Sequence, residues 1–172
     1  MSLEVSKPYS LKWVYKILRG SAITGAILAV IQPELFKAGM EAMKELATSP
    51  ENIHKGEQLI RVLGVWCTPF SVISSISNRD TPPHRDVGSG HQWFDILVPL
   101  GKYENGWFEL PGLGLTLKYD PRTIVAITGR VLRHGAFCPG DRVCLAYYMR
   151  QQVVKQLTGL NPGWMDMSIY IN

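Results

Sequence analysis

The chain has 172 residues, 46% hydrophobic and 19% charged, with a net charge of +4. It is long enough to enclose one core and too apolar to be disordered. A pI near 9.0 permits contact with a polyanion, but no block of like charges forms a basic arm. Three cysteines (Cys67, Cys138, Cys144) cannot all pair and none sits in a CxxC spacing, which points to a reduced compartment. The longest apolar run, Ala22 to Ile31, is shorter than a bilayer span. It also follows a charged, aromatic stretch from Lys12 to Arg19, so neither membrane insertion nor secretion is expected.

Residues 1–10 read as a loose terminus. Leu11, Val14, Tyr15, Leu18, Ile23, Ile27, Leu28 and Ile31 recur at helical spacing and predict a helix over 11–31, weakened by Gly20 and Gly25. Pro33 suits the first turn of a second helix, with Leu35, Phe36, Met40, Met43 and Leu46 as its buried stripe. Ser49-Pro50-Glu51 signals the start of a third, ending before Gly64, on which His54 reads as solvated. From Phe70 the texture changes to short β-branched and aromatic runs separated by turn residues: 70–77, 93–100, 107–110, 113–119, 123–128 and 142–150. Their lengths describe an antiparallel sandwich or barrel, not βαβ units. Residues 151–158 read as a closing helix. The expected organisation is α+β: a helical segment over 1–64, a β-rich core over 65–158 and a tail over 159–172.

Pro83-His84-Arg85-Asp86 follows the first β run. In extended backbone, side chains two apart point the same way, so His84 and Asp86 can reach one metal while Arg85 faces away. An imidazole plus a carboxylate is two-thirds of the facial triad that holds non-haem Fe(II). His134 supplies a third ligand after room for about four strands; its setting, Val131-Leu132-Arg133-His134-Gly135, reads as the end of an apolar run. Three ligands on one face leave positions for a chelating keto acid and O2. The keto acid's far carboxylate needs a fixed cation, and Arg142 opens the strand after the Cys138-Pro139-Gly140-Asp141 turn. Its planar fork binds a carboxylate bidentately and stays charged. Along that strand Arg142, Cys144, Ala146, Tyr148 and Arg150 share one face, while Val143, Leu145, Tyr147 and Met149 share the other. The first face is expected to line the active cavity, Cys144 and Ala146 leaving space for the co-substrate.

Several residues near this constellation admit two readings. His91 could touch substrate or stand exposed in its loop. Asn78 and Arg79 could contact the co-substrate or DNA, or simply form a turn. Asp95, inside an apolar strand, is either a partner of a ligand histidine or a paired buried carboxylate. Arg130 and Arg133 could meet phosphates or be solvated. Gly112 and Gly114 read as turn residues, because no helix or Lys-Ser/Thr follows them.

Residues 70–158 resemble the 2-oxoglutarate/Fe(II) oxygenase domain of the TET/JBP family, especially its fungal members. The likeness is carried by residues 77–86 (Ser-Asn-Arg-Asp-Thr-Pro-Pro-His-Arg-Asp), Trp93-Phe94-Asp95-Ile96-Leu97, Glu109-Leu110-Pro111-Gly112-Leu113-Gly114-Leu115, Leu132-Arg133-His134-Gly135, and Arg142 to Arg150. The resemblance implies a double-stranded β-helix (a jelly-roll, cupin-like barrel) with the N-terminal helices packed on it. It also implies use of Fe(II), 2-oxoglutarate and O2 to oxidise the methyl group of 5-methylcytosine, or of thymine, in DNA. The metal positions fall on His84, Asp86 and His134, and the co-substrate arginine on Arg142. Tyr148 and Arg150 fall where family members touch the target base, Arg150 replacing the histidine of animal TET proteins. A flipped base needs an aromatic face, for which Tyr148 and Trp93 are candidates. The Cys-rich zinc-binding region of animal TET proteins is missing from this sequence, so DNA grip is expected from elsewhere, or the chain is a minimal or truncated member. Methylated DNA is the expected partner, the nucleus (otherwise the cytoplasm) the expected location, and no protein partner is expected. Two other functions share these residues: an oxygenase of N-alkylated bases such as N6-methyladenine or of a non-nucleic-acid substrate, and a β-helix that binds without turnover.

Overall fold

The computed structural model describes residues 8–49 and 56–167; the third helix's predicted start at Pro50-Glu51, His54 and most of the N-terminal stretch lie outside them. The chain divides into two compact units, residues 1–71 with 151–172, and residues 72–150.

The first unit is helical: α1 (Pro8–Ile31), α2 (Pro33–Thr48), α3 (Gly56–Leu63) and α4 (Gln151–Thr158). α1 runs unbroken through Gly20 and Gly25. Gly25 is needed for packing, since a Cβ there would stand 3.1 Å from Pro69 Cδ. α2 starts at Pro33 as expected, but its buried residues are Leu35, Ala38, Gly39, Ala42 and Met43, while Met40 is exposed. Small side chains let α1, α3 and α4 approach α2 closely, which the stripe of large residues did not anticipate. A second correction concerns length. The apolar run Ala22–Ile31 belongs to a 21-residue stretch, Leu11–Ile31, that is long and apolar enough to cross a membrane by length and composition.

The second unit holds eight strands: β1 (Val72–Ser77), β2 (Thr81–His84), β3 (Asp95–Lys102), β4 (Trp107–Leu110), β5 (Leu115–Lys118), β6 (Val125–Ile127), β7 (His134–Phe137) and β8 (Asp141–Tyr148). They form two four-stranded antiparallel sheets, ordered β1-β8-β3-β6 and β2-β7-β4-β5. Phe108, Leu110, Tyr119, Ile127, Tyr103 and Cys138 are the buried centre, with Leu97 and Ala136 against them. Both sheets contribute, so the core lies between their facing surfaces. The six predicted β runs correspond to β1, β3, β4, β5, β6 and β8, and Pro111–Leu113 is a 3-10 turn closed by Gly114 at φ 64°. Two strands were not among those runs. β2 carries Pro82 and Pro83, which cannot donate to a ladder, and accordingly lies at a sheet edge. β7 reads His134-Gly135-Ala136-Phe137, with no β-branched residue.

A candidate metal centre and its cavity

Placement of the three candidate ligands follows from one strand pair and one turn. β2 ends on His84 and β7 begins on His134, and the two residues are direct cross-strand partners. His134 therefore opens a strand. It does not end the apolar run before it: Val131 and Leu132 instead turn back, both donating to the Thr128 carbonyl (3.0 and 2.9 Å). Beyond the edge strand, the Asp86 N–H donates to the Gly129 carbonyl at 3.0 Å. Only glycine fits there, because a Cβ on residue 129 would stand 2.6 Å from Asp86 Oδ2. Between Asp86 and His134 lie β3, β4, β5 and β6, the four strands expected.

The result is a compact donor set. One ligand atom from each of His84, Asp86 and His134 lies within 4.8 Å of the others. His84 Nε2 is 3.4 Å from Asp86 Oδ1, and His134 Nε2 is 3.6 Å from Asp86 Oδ2. Each histidine has Nδ1 at 3.0 Å from the carbonyl two residues earlier, Pro82 for His84 and Leu132 for His134. A carbonyl only accepts, so the proton belongs on Nδ1 and each Nε2 lone pair faces the shared centre. Burial of His134 lowers its pKa and keeps the ring neutral, as a ligand must be. Phe108 stacks on it at 5.6 Å. Two imidazoles and one carboxyl group, held from behind and part-exposed at His84 and Asp86, fit a divalent iron with open positions.

His84 and Asp86 line a cavity of about 340 Å³, within the range that holds a small ligand, while His134 lies behind its wall. Ser74, Asp95, Leu97, Ala146 and Tyr148 line its other walls. Ala146 and Tyr148 are on the predicted face of β8, and Leu97 is the cross-strand partner of Ala146. Tyr148 Oη lies 3.4 Å from Ser74 Oγ. Arg85 also reaches the cavity rim, although its neighbours point inward, and its Nε donates to the Val131 carbonyl at 2.9 Å.

Arg142 lies on the same face of β8 but is closed off from this cavity's lining. It is 3% exposed, and its guanidinium donates to the Arg79 carbonyl and lies 3.6 Å from Cys138 Sγ. No carboxylate of the described residues is within 4.0 Å of it. A buried cation with no anionic partner suits a ligand carboxylate. Cys144 is buried, with Sγ 3.5 Å from Tyr119 Oη, and burial raises its thiol pKa. It packs in the interior of the second unit and does not leave open space. Asn78 is committed elsewhere too: at φ 44° it ends β1, and its Oδ1 accepts the Arg142 backbone N–H at 2.7 Å. Asn78 thereby positions the Arg142 backbone, and its Nδ2 lies 3.4 Å from Asp141 Oδ1.

Other expected residues separate clearly. Trp93 is 1% exposed, its ring sealed under Gly90, where a Cβ would stand 2.7 Å from Trp93 Cδ2. It is a core ring, so Tyr148 is the aromatic that faces the cavity. His91 is exposed and does not line it. Arg150 is exposed, with Nη1 at 4.0 Å from where a Gly88 Cβ would stand. Arg130 and Arg133 tie the ligand loops together, donating to the Ser89 carbonyl (2.8 Å) and the Pro83 carbonyl (3.2 Å). Asp95 proves closer to the centre than its strand setting implied. It is 3% exposed and accepts from Ser89 Oγ at 2.9 Å, while burial, aided by the Asp86 charge, pushes its pKa up to about 7. Sequence reasoning missed Ser89 and Gly129 altogether; a Gly between an apolar strand and an arginine carries no signal of what approaches it.

The family model for the oxygenase domain of the 2OGFeDO superfamily, Tet_JBP, matches residues 2–151. No curated protein matches the chain.

Proposed function

The chain belongs to the Tet_JBP family of the 2OGFeDO superfamily and is a 2-oxoglutarate/Fe(II)-dependent dioxygenase, and from that premise we propose that it oxidises the methyl group of 5-methylcytosine in DNA. The TET/JBP family acts on modified bases in DNA. Fe(II), 2-oxoglutarate and O2 supply the oxidising power, decarboxylation to succinate and CO2 accompanying insertion of one oxygen atom into a substrate C–H bond.

The chain's own residues divide the remaining work. His84, Asp86 and His134 hold the iron, their Nδ1 and backbone contacts fixing ring and carboxylate orientation. Arg142, which lacks an anionic partner among the described residues and lies outside the cavity's lining, is assigned the far carboxylate of 2-oxoglutarate on its likeness to the family's co-substrate arginine, so the co-substrate must reach past the lining to meet it. Tyr148 offers a ring face to a base taken out of the duplex, and Ala146 beside it leaves room for the base edge. Arg85 at the cavity rim and Arg133 use Nε on backbone carbonyls, and their terminal nitrogens donate to no described residue; these suit phosphates flanking the flipped nucleotide. On this reading the two sheets serve as the two halves of a double-stranded β-helix, and the nucleus is proposed as the protein's location because the proposed substrate is DNA.

The observation that carries this reading is that two members of the His84–Asp86–His134 set, His84 and Asp86, line a small cavity faced by Tyr148. A panel of duplex oligonucleotides containing 5-methylcytosine, thymine or N6-methyladenine, incubated with Fe(II) and 2-oxoglutarate and analysed by mass spectrometry, tests it. Hydroxymethylcytosine is the expected first product. Oxidation of none of these bases would sink the DNA assignment.

A further inference from the structure

Asp95 has a demand that the metal site does not meet. It opens β3 and lines the same cavity wall as Leu97. Its Oδ1 accepts from Ser89 Oγ, and Ser89 is itself buried, with its carbonyl held by Arg130. Its Oδ2 is buried and has no donor among the described residues. The Gly129 N–H comes near enough to the carboxylate to lower its pKa, but its hydrogen bond of ordinary geometry goes to the Ile127 carbonyl at 3.0 Å, which leaves Oδ2 without a full donor. A buried acceptor left without a donor is costly, and native proteins rarely carry one without a use.

The surroundings say what would satisfy it. A Cβ at Gly129 would stand 2.9 Å from Asp95 Oδ2 and 2.6 Å from Asp86 Oδ2. The unpartnered oxygen therefore lies near the Asp86 carboxylate, on a residue that lines the cavity beside His84 and Asp86. 5-Methylcytosine presents a 4-amino donor where thymine presents a 4-oxo acceptor, and in both bases the 5-methyl group is attached to the next ring carbon. Resting on the proposed oxidation of DNA bases, we infer that Asp95 Oδ2 accepts a hydrogen bond from the 4-amino group of the target base and selects 5-methylcytosine over thymine. The same contact turns the neighbouring 5-methyl toward His84, Asp86 and His134. Ser89 keeps the carboxylate from rotating away.

The test varies the base and the residue together. Matched duplexes carry 5-methylcytosine, thymine or 5-methylpyrimidin-2-one, the last having no 4-substituent. For the wild-type protein, kcat/KM is expected to fall roughly 10- to 100-fold on losing or replacing the amino group. Anaerobic equilibrium binding of the same duplexes to the Mn(II)-loaded protein, read by fluorescence anisotropy, is expected to rank them identically. In Asp95→Asn the preference collapses to within a few-fold. Equal turnover of 5-methylcytosine and the amino-less base by the wild-type protein overturns the assignment, whether or not the variant folds. Retention of the full preference by a folded Asp95→Asn also overturns it. Oxidation of all three bases at one rate leaves the proposed function standing and removes only the role of Asp95, whereas oxidation of none removes both.

Discussion

Arg142 and Asp95 are both 3% exposed, and each is a buried ionisable group whose partners are incomplete among the described residues. For Arg142 the missing partner is a carboxylate. Arg142→Lys keeps the charge and loses the planar fork, so the KM for 2-oxoglutarate should rise by about tenfold or more. An unchanged KM in steady-state assays would remove Arg142 from co-substrate binding. For Asp95 the consequence is a pH dependence. Its folded-state pKa of about 7 exceeds the ordinary 3.8, chiefly through burial. Between those values the folded state holds more protons than the unfolded one, so stability declines as pH rises, by at most about 1.4 kcal/mol per unit. In metal-free protein, the melting temperature of Asp95→Asn should therefore gain on wild type from pH 5 to pH 8. A gap independent of pH would contradict the raised value.

At the scale of elements, the site is built by the turn 128–132 and the β2–β7 pair. Gly129 receives the Asp86 N–H and lies against two carboxylates, so Gly129→Ala must displace Asp86, Asp95 or the turn itself. The expected result is loss of Fe(II) affinity of about tenfold or more with the far-ultraviolet dichroism of the sheets retained, the loss expected when ligand-supporting groups are disturbed. Normal iron binding by that variant would show the turn to be incidental. These elements also mark how far the sequence could be read. His84 and Asp86 were legible because extended backbone repeats every two residues, and the face of β8 because its polar and apolar residues alternate. β2 and β7 were not, since their prolines and glycine suppress the strand signal and only pairing with each other makes them strands. Trp93 looked like a pocket aromatic because nothing local reveals that Gly90 closes over its ring. Convergence of Gly129 on Asp86 and Asp95 is a tertiary fact with no local trace.

For the molecule as a whole, the family match extends across residues 2–151 and so takes in helices that carry no resemblance by motif alone. The residues that bear chemistry all lie in the unit formed by residues 72–150, and the sheets exist to bring two strand ends, one turn and one strand face together. Anaerobic titration of the protein with Fe(II) in the presence of 2-oxoglutarate, followed by the visible charge-transfer absorption of the chelate, measures that convergence directly. One iron per chain should bind in the wild-type protein, with the absorption abolished in Asp86→Ala and in His134→Ala. Wild-type absorption in folded forms of both variants would contradict the assignment of His84, Asp86 and His134 as the metal centre.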